Sequence, residues 1–342
     1  MIVKKIPILQ GFPAIKTVKN LSRQRVKLSD NLLSFYDIET TGLNRKTSFV
    51  YLIGAVKYED GCWNLYQWMC ENKAEEKEIL QEFCDFLSDV NYTVQYNGNR
   101  FDQPYLEARL KEYEMGSPFE NIDSIDLYQL LKPCQSLLKL DRMKQPDLEY
   151  FLGMNERKHC DGAECIRKYK SYMKNGDAKT AEIVLGHNYE DLMGLGSIFS
   201  MLAYKNLFEG NYQPIACSVQ NELMILELQL PDKLPKEISY GIAEFYITAD
   251  AYKAKILVQL QNGKLRQYYP NYKDYDYLPS EDTAIPKALS RYMDRSLRKA
   301  ANSRNSYTWF TCSEEFAADP QKQMQYLVNA LPFFLEIISQ PR

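Results

Sequence analysis

Leu32 and Leu33 lead into Phe35-Tyr36-Asp37-Ile38-Glu39-Thr40-Thr41-Gly42-Leu43, an apolar, β-prone run that carries two carboxylates one residue apart and stops at a glycine able to turn the chain. In a strand the side chains alternate, so Asp37 and Glu39 share a face. Two more apolar and aromatic runs, Phe49 to Tyr58 and Trp63 to Cys70, flank the hairpin dipeptide Asp60-Gly61 and predict an antiparallel meander of three strands. From Ala74 to Val90, Ile79, Leu80, Phe83, Phe86 and Leu87 form one helical stripe, with Glu75, Glu76 and Glu78 at the favourable N-terminal end. A short strand, Tyr92 to Tyr96, runs through a polar loop into a helix that starts at Asp102 and reaches about Tyr113. Ile122 to Asp126 reads as a last strand. Helical turns follow through Leu131 and from Asp147 to Leu152, then helices over 160–174 and 178–204, broken at Asn175-Gly176-Asp177.

The pattern changes past the polar stretch Glu209 to Pro214. Leu223 to Leu230, Ala243 to Thr248 and Ala254 to Leu260 read as strands, and Asn262-Gly263 predicts a hairpin into Lys264 to Tyr269. A loop dense in tyrosine follows (Tyr268, Tyr269, Tyr272, Tyr275, Tyr277). Pro286 then opens an expected helix whose Lys287, Arg291, Arg295 and Arg298 or Lys299 would make a basic stripe. Such a stripe is either a solvated face or a surface tracking phosphates beside tyrosines that stack on unpaired bases. Gln321 to Ile338 has helical spacing despite Pro332. The expected division is a basic leader over 1–30, a first domain over 31–208 and a smaller α+β domain of unrecognised fold over 215–342.

With 342 residues, 45% hydrophobic and 25% charged, the chain has globular proportions and length for two cores. Its formal net charge of -3 gives no global positive field, so any surface for nucleic acid must be local. The leader carries Lys4, Lys5, Lys16, Lys19, Arg23, Arg25 and Lys27 against Asp30 and is expected to be a solvated arm. No apolar run is long enough to span a membrane and no signal-peptide pattern stands at the start, so a cytoplasmic location is expected. The eight cysteines are scattered without a CxxC pair, as reduced thiols would be. His159-Cys160 with Cys165 lacks a fourth ligand at zinc spacing.

Paired acids on a strand face are costly to bury unless a cation or strong donors share the site, and a hard divalent ion is the usual partner. Taken singly, Asp37 and Glu39 also fit a solvated edge and Asp102 an ordinary helix cap. His187 and Asp191, one turn apart on the late helix, also fit a surface contact.

Together, Asp-Ile-Glu-Thr-Thr-Gly-Leu at 37–43, Tyr96-Asn97-Gly98-Asn99-Arg100-Phe101-Asp102 with Pro104-Tyr105-Leu106, and His187 to Asp191 resemble the three motifs of the DEDD (DnaQ-like) exonucleases of the ribonuclease H-like superfamily, and within them the bacterial YprB-like group. The resemblance covers about residues 30 to 204. It implies a mixed five-stranded sheet flanked by helices, with the first strand beside the fourth. It implies that Asp37, Glu39, Asp102 and Asp191 hold two Mg2+ or Mn2+ ions, that His187 orients or deprotonates a water, and that Thr41, Leu43 and Asn97 meet the 3'-terminal nucleotide. One feature departs from it. The histidine of His-type members lies five residues before the last aspartate and the tyrosine of Tyr-type members four, whereas His187 stands at the tyrosine spacing. The expected activity is 3'-5' hydrolysis of single-stranded DNA or RNA to nucleoside 5'-monophosphates, with Arg291 and Arg295 as further substrate contacts. A non-catalytic binding module and a structure-specific endonuclease are the alternatives.

Overall fold

The computed structural model describes residues 1–26, 32–154, 157–159 and 161–340. Lys27 and Asp30 of the expected leader, and Cys160, lie outside them. The chain divides into two compact units, Met1–Leu131 with Arg142–Leu202, and Lys132–Asp141 with Ala203–Arg342.

The first unit contains β1 (Ile2–Ile8), α1 (Ile15–Ser22), β2 (Leu32–Thr40), β3 (Val50–Glu59), β4 (Cys62–Met69), α2 (Glu76–Phe86), β5 (Val90–Gln95), α3 (Asp102–Glu112), β6 (Asp123–Asp126), α4 (Leu127–Leu131), α5 (Gln145–Phe151), α6 (Gly162–Asn175) and α7 (Ala178–Phe199). Six strands form one sheet in the order β1-β4-β3-β2-β5-β6. The expected meander β2-β3-β4 is antiparallel, and β5 runs parallel to β2, so the strand carrying the acid pair lies beside the fourth strand of the motif.

The sixth strand corrects the reading of the leader. Ile2 to Ile8 pair along β4 from Met69 to Trp63. Lys5 points outward and pairs with Glu59 at 2.7 Å, a charge that with Pro7 blunts an exposed sheet edge. The lysines hid the alternation of Ile2, Ile6 and Ile8 around them. Further on, Phe12 meets Phe35 edge-on at 5.0 Å and packs where Gly196 of α7 has no side chain.

Alternation along β2 sorts its two faces. Tyr36 and Ile38 enter a core with Phe83 of α2 and Leu106 and Leu110 of α3. Phe35, Asp37 and Glu39 face the other way, where Phe35 packs on Phe199 of α7. On that face Tyr51, Leu52 and Met69 pack with Cys165 and Tyr169 of α6 and Val184 of α7. Each such side chain contributes about 1.5–3 kcal/mol when buried, so the acids sit in a wall fixed from both sides. Gly176, in the left-handed region at φ +65°, ends α6, and the Asp177 carboxylate caps α7.

After Lys132–Asp141, the second unit resumes within α8 (Leu202–Phe208). A five-stranded antiparallel sheet follows in the order β7 (Gln213–Gln220), β8 (Leu223–Gln229), β11 (Lys253–Gln259), β10 (Phe245–Asp250), β9 (Ile238–Ile242). β8, β10 and β11 alternate buried and open residues, as a sheet covered on one face does. Asn262 and Gly263 have the positive φ of a tight turn, but only Gln261 and Lys264 bridge across it. The next strand, β12 (Lys264–Tyr268), pairs instead with β16 (Tyr307–Thr311). A smaller sheet joins β13 (Tyr275–Leu278), β14 (Thr283–Pro286) and β15 (Lys299–Ala300). The helix expected from Pro286 is a single turn, α9 (Lys287–Ser290). Arg291 caps it, Arg295 opens a separate 3-10 turn and Lys299 is already in a strand, so the basic stripe does not form. Asp276 draws Arg298 into an ion pair at 2.6 Å. The tyrosine faces are largely taken: Tyr268 stacks on Phe333 at 3.8 Å, and Tyr269 on Tyr275 at 4.8 Å. After α10 (Glu314–Ala318), α11 (Pro320–Ser339) runs unbroken through Pro332. No described helix is long and apolar enough to cross a membrane.

Candidate active site

The centre of the site is the face of β2 that looks at α7. Asp37 pairs in register with Gly54 of β3, and a Cβ on Gly54 would lie 2.0 Å from Oδ1 of Asn188. The missing side chain is therefore the seat of Asn188. Gln67 of β4 holds that seat by donating from Nε2 to Asn188 Oδ1 at 2.9 Å and to Leu185 O at 2.8 Å. The remaining Asn188 donor, Nδ2, reaches Asp37 Oδ2 at 3.0 Å. Asp37 is thus tied to α7 by the Asn188 amide, which Gln67, two strands across the sheet, holds in place.

Asp37, Glu39 and Asp191 converge, with one oxygen from each within 4.8 Å of the others. His187 lies among them, its Nε2 3.3 Å from Glu39 Oε1 and 3.4 Å from Asp191 Oδ2. Its Nε2 thus faces both acids at once. Tyr51 donates its hydroxyl to Glu39 Oε2 at 3.3 Å. Cys165 Sγ also lies within 4.8 Å of donor atoms of Glu39 and His187, and Tyr51 contacts it at 3.5 Å.

Asp102 is not one of the converging three. It opens α3, is buried, and accepts the Ile38 backbone N–H on Oδ1 at 3.3 Å. Its loop is fixed by a residue that no local pattern singled out. Asp126, at the end of β6, accepts from the N–H groups of Asn97 at 2.9 Å and Asn99 at 3.2 Å. This holds Asn97 in the left-handed region, at φ +59°.

Electrostatics follow from placement. Burial raises the Asp37 carboxyl well above its ordinary value, the charges of Asp191, Asp102 and Glu39 add to the rise, and the Asn188 hydrogen bond opposes it. Glu39 is raised by burial and by Asp191, against the hydrogen bond from Tyr51. Burial lifts Asp102 to about 7 despite the Ile38 N–H. Asp191 is also raised by burial, with Arg157 and His187 holding it down. Carboxylates crowded in this way favour either a proton or a cation among them, and an all-oxygen donor set suits a hard divalent ion.

Of the other residues singled out, Thr41 bridges the backbone of Phe49, whose N–H it accepts at 3.1 Å. Leu43 is 83% exposed two residues further on. Arg291 lies over the ring of Tyr292 at 4.7 Å and belongs to the second unit. Asn188 was legible in principle, since it precedes Asp191 by three residues and so shares its side of α7. Gln145 and Glu149, both on α5, and Arg157, in the chain between α5 and α6, carried no local signal.

Residues 34–203 match the RNase_H superfamily. Two DNA polymerases III of PolC type are similar in sequence. That of Thermotoga maritima is 30% identical over 164 residues, which is 42% of this chain and 11% of that protein. That of Thermotoga petrophila is 31% identical over 145 residues, 36% of this chain and 10% of that protein. The chain therefore spans about a tenth of the length of these curated relatives. The family B DNA polymerase of the hyperthermophilic archaeon Pyrobaculum calidifontis aligns over 54% of this chain and 26% of its own, at 13% identity and a TM-score of 0.41. The strand order, the helices on both faces and the superfamily match agree that residues 34–203 are an RNase H-like domain.

Proposed function

We propose that this domain is a metal-dependent nuclease, and more closely a 3'-5' exonuclease of the DEDD, YprB-like kind that releases nucleoside 5'-monophosphates from single-stranded nucleic acid. The observation that carries the reading is the convergence of Asp37, Glu39 and Asp191 within 4.8 Å on a wall that compensates their charge only in part. These three, with Asp102 nearby, would hold Mg2+ or Mn2+. When bound, such ions supply a lowered pKa for the attacking water and positive charge at the phosphate. Asn188 fixes the rotamer of Asp37, and His187 and Tyr51 fix Glu39. The exposed Leu43 and the Asn97 loop stand beside the strand ends that carry the acids, where a terminal nucleotide would meet them.

The second reading is a module that binds nucleic acid without turnover. One observation favours it: both oxygens of Asp191 already have partners, Arg157 on Oδ1 and His187 on Oδ2.

Digestion of 5'-labelled single-stranded DNA and RNA with Mn2+, Mg2+ or chelator, beside Asp37→Ala and Asp102→Ala, tests both. A ladder shortening from the 3' end, lost with chelator or either substitution, is expected. Internal cuts would make the enzyme an endonuclease. Binding without cleavage would select the second reading, and undiminished cleavage by Asp37→Ala would remove the assignment of the acids.

A further inference from the structure

Arg157 approaches the acids from the chain between α5 and α6. Its Nε donates to Glu149 Oε2 at 2.9 Å and its Nη2 to Oε1 at 2.7 Å, a bidentate pair, while Nη1 donates to Asp191 Oδ1. Glu149 is itself seated. It is buried on α5, receives Gln145 Nε2 on Oε1 at 3.0 Å, and fills the space left by Gly194 of α7, where a Cβ would lie 1.9 Å from Oε1. Gln145 also donates to the backbone oxygen of Asp191 at 2.7 Å, so α5 and α7 are clamped at this point. With two nitrogens of a planar guanidinium fixed on a locked carboxylate, the direction of the third is set, and it is set on Asp191. The guanidinium keeps its charge at any pH the fold survives. The hydrogen bonds of Arg157 go to Glu149 and Asp191; its charge also reaches Glu39, whose carboxyl it holds down without a hydrogen bond.

We propose that Arg157 is a resident cation of the site: a positioning residue that occupies Asp191 Oδ1 in the metal-free protein and competes with a divalent ion for that oxygen. The inference rests on the reading of the acids as metal ligands. An ion held by Asp37 and Glu39 displaces no hydrogen bond from Arg157, whereas an ion that touches Asp191 Oδ1 enters as Arg157 leaves. The protein then has a tight and a weak class of divalent sites, and Arg157 sets the gap between them.

The test is binding of Mn2+ alone to the full chain, by calorimetry and by the electron paramagnetic resonance of free Mn2+, without any substrate. Arg157→Ala, and Arg157→Gln as the variant that keeps more of the packing, are expected to tighten the weak class at least threefold and leave the tight class in place. Arg157→Lys, which keeps the charge but not the planar fork, is expected to fall between wild type and Arg157→Ala. Asp37→Asn is expected to lose the tight class. Wild type that binds Mn2+ no better than Asp37→Asn would overturn the reading of the acids and this inference with it. Loss of binding in Asp37→Asn, with the weak class unchanged or weaker in both Arg157→Ala and Arg157→Gln, would overturn the role of Arg157 alone.

Discussion

Two buried carboxylate settings lie on opposite faces of one sheet, and they solve the same problem differently. Glu76, with no exposed surface at the start of α2, accepts four hydrogen bonds: from Val50 N–H at 2.9 Å, Arg109 Nε at 2.8 Å, Arg109 Nη2 at 2.7 Å and the Tyr113 hydroxyl at 2.9 Å. One charge is matched by one charge, and every lone pair has a donor. Across the sheet Asp37, Glu39 and Asp191 face one another with one amide, one phenol, one imidazole and a guanidinium already shared with Glu149. The first arrangement closes a structure. The second leaves negative charge in excess, and that excess is a binding capacity.

The contrast breaks most sharply at Glu76. Glu76→Ala strands the Arg109 guanidinium in the core and is expected to lower the unfolding free energy by about 3–5 kcal/mol in urea titration. Loss of charge at Asp102, whose charge reaches Asp37, acts in the opposite sense. The Asp102 carboxyl, raised from 3.8 to about 7, takes up a proton on folding, so its contribution to stability is present at low pH and declines as pH rises between those values. Metal-free wild type is expected to lose stability relative to Asp102→Asn over that window, and excess Mn2+ is expected to shrink the difference; thermal unfolding at pH 5 and pH 8 reads both. Asn188→Ala frees Asp37 from its hydrogen bond while leaving the acids in place, and Mn2+ affinity is expected to fall about 10–100-fold by calorimetry. Asp89→Ala removes a partly exposed ion pair with Lys57 and is expected to change stability by under about 1 kcal/mol.

The strand that bears the acids was readable because a period of two and a carboxylate pair coincide over Phe35 to Leu43, and α3 because Asp102 opens it. The order of β2 beside β5 came through the motif resemblance. What stayed hidden has physical reasons. β1 is an edge strand, so its outward lysines mask its apolar alternation. The basic spacing after Pro286 suggested a helix, but Asp276, buried on β13, draws Arg298 into an ion pair, and the chain turns into β15 instead. In the site, Asp37, Glu39 and Asp191 were named from the sequence. Gln67, Asn188 and Arg157 reach the acids through contacts between residues far apart in sequence, Gln67 with Asn188, Asn188 with Asp37 and Arg157 with Asp191, and no short window of sequence contains those contacts.

Gly54 gives the site a dimension as well as a shape. The distance from the strand acids to Asp191 on α7 is set by how closely that helix approaches the sheet, and the approach is permitted by one absent methyl group. Ion size enters through the same gap, because Mg2+ accepts oxygen ligands at about 2.0–2.1 Å and Ca2+ at about 2.3–2.6 Å. A hydrogen atom in the middle of β3 thus acts as a gauge block for any cation the acids would hold: widening it by a single carbon would turn a question of fold into one of ionic radius.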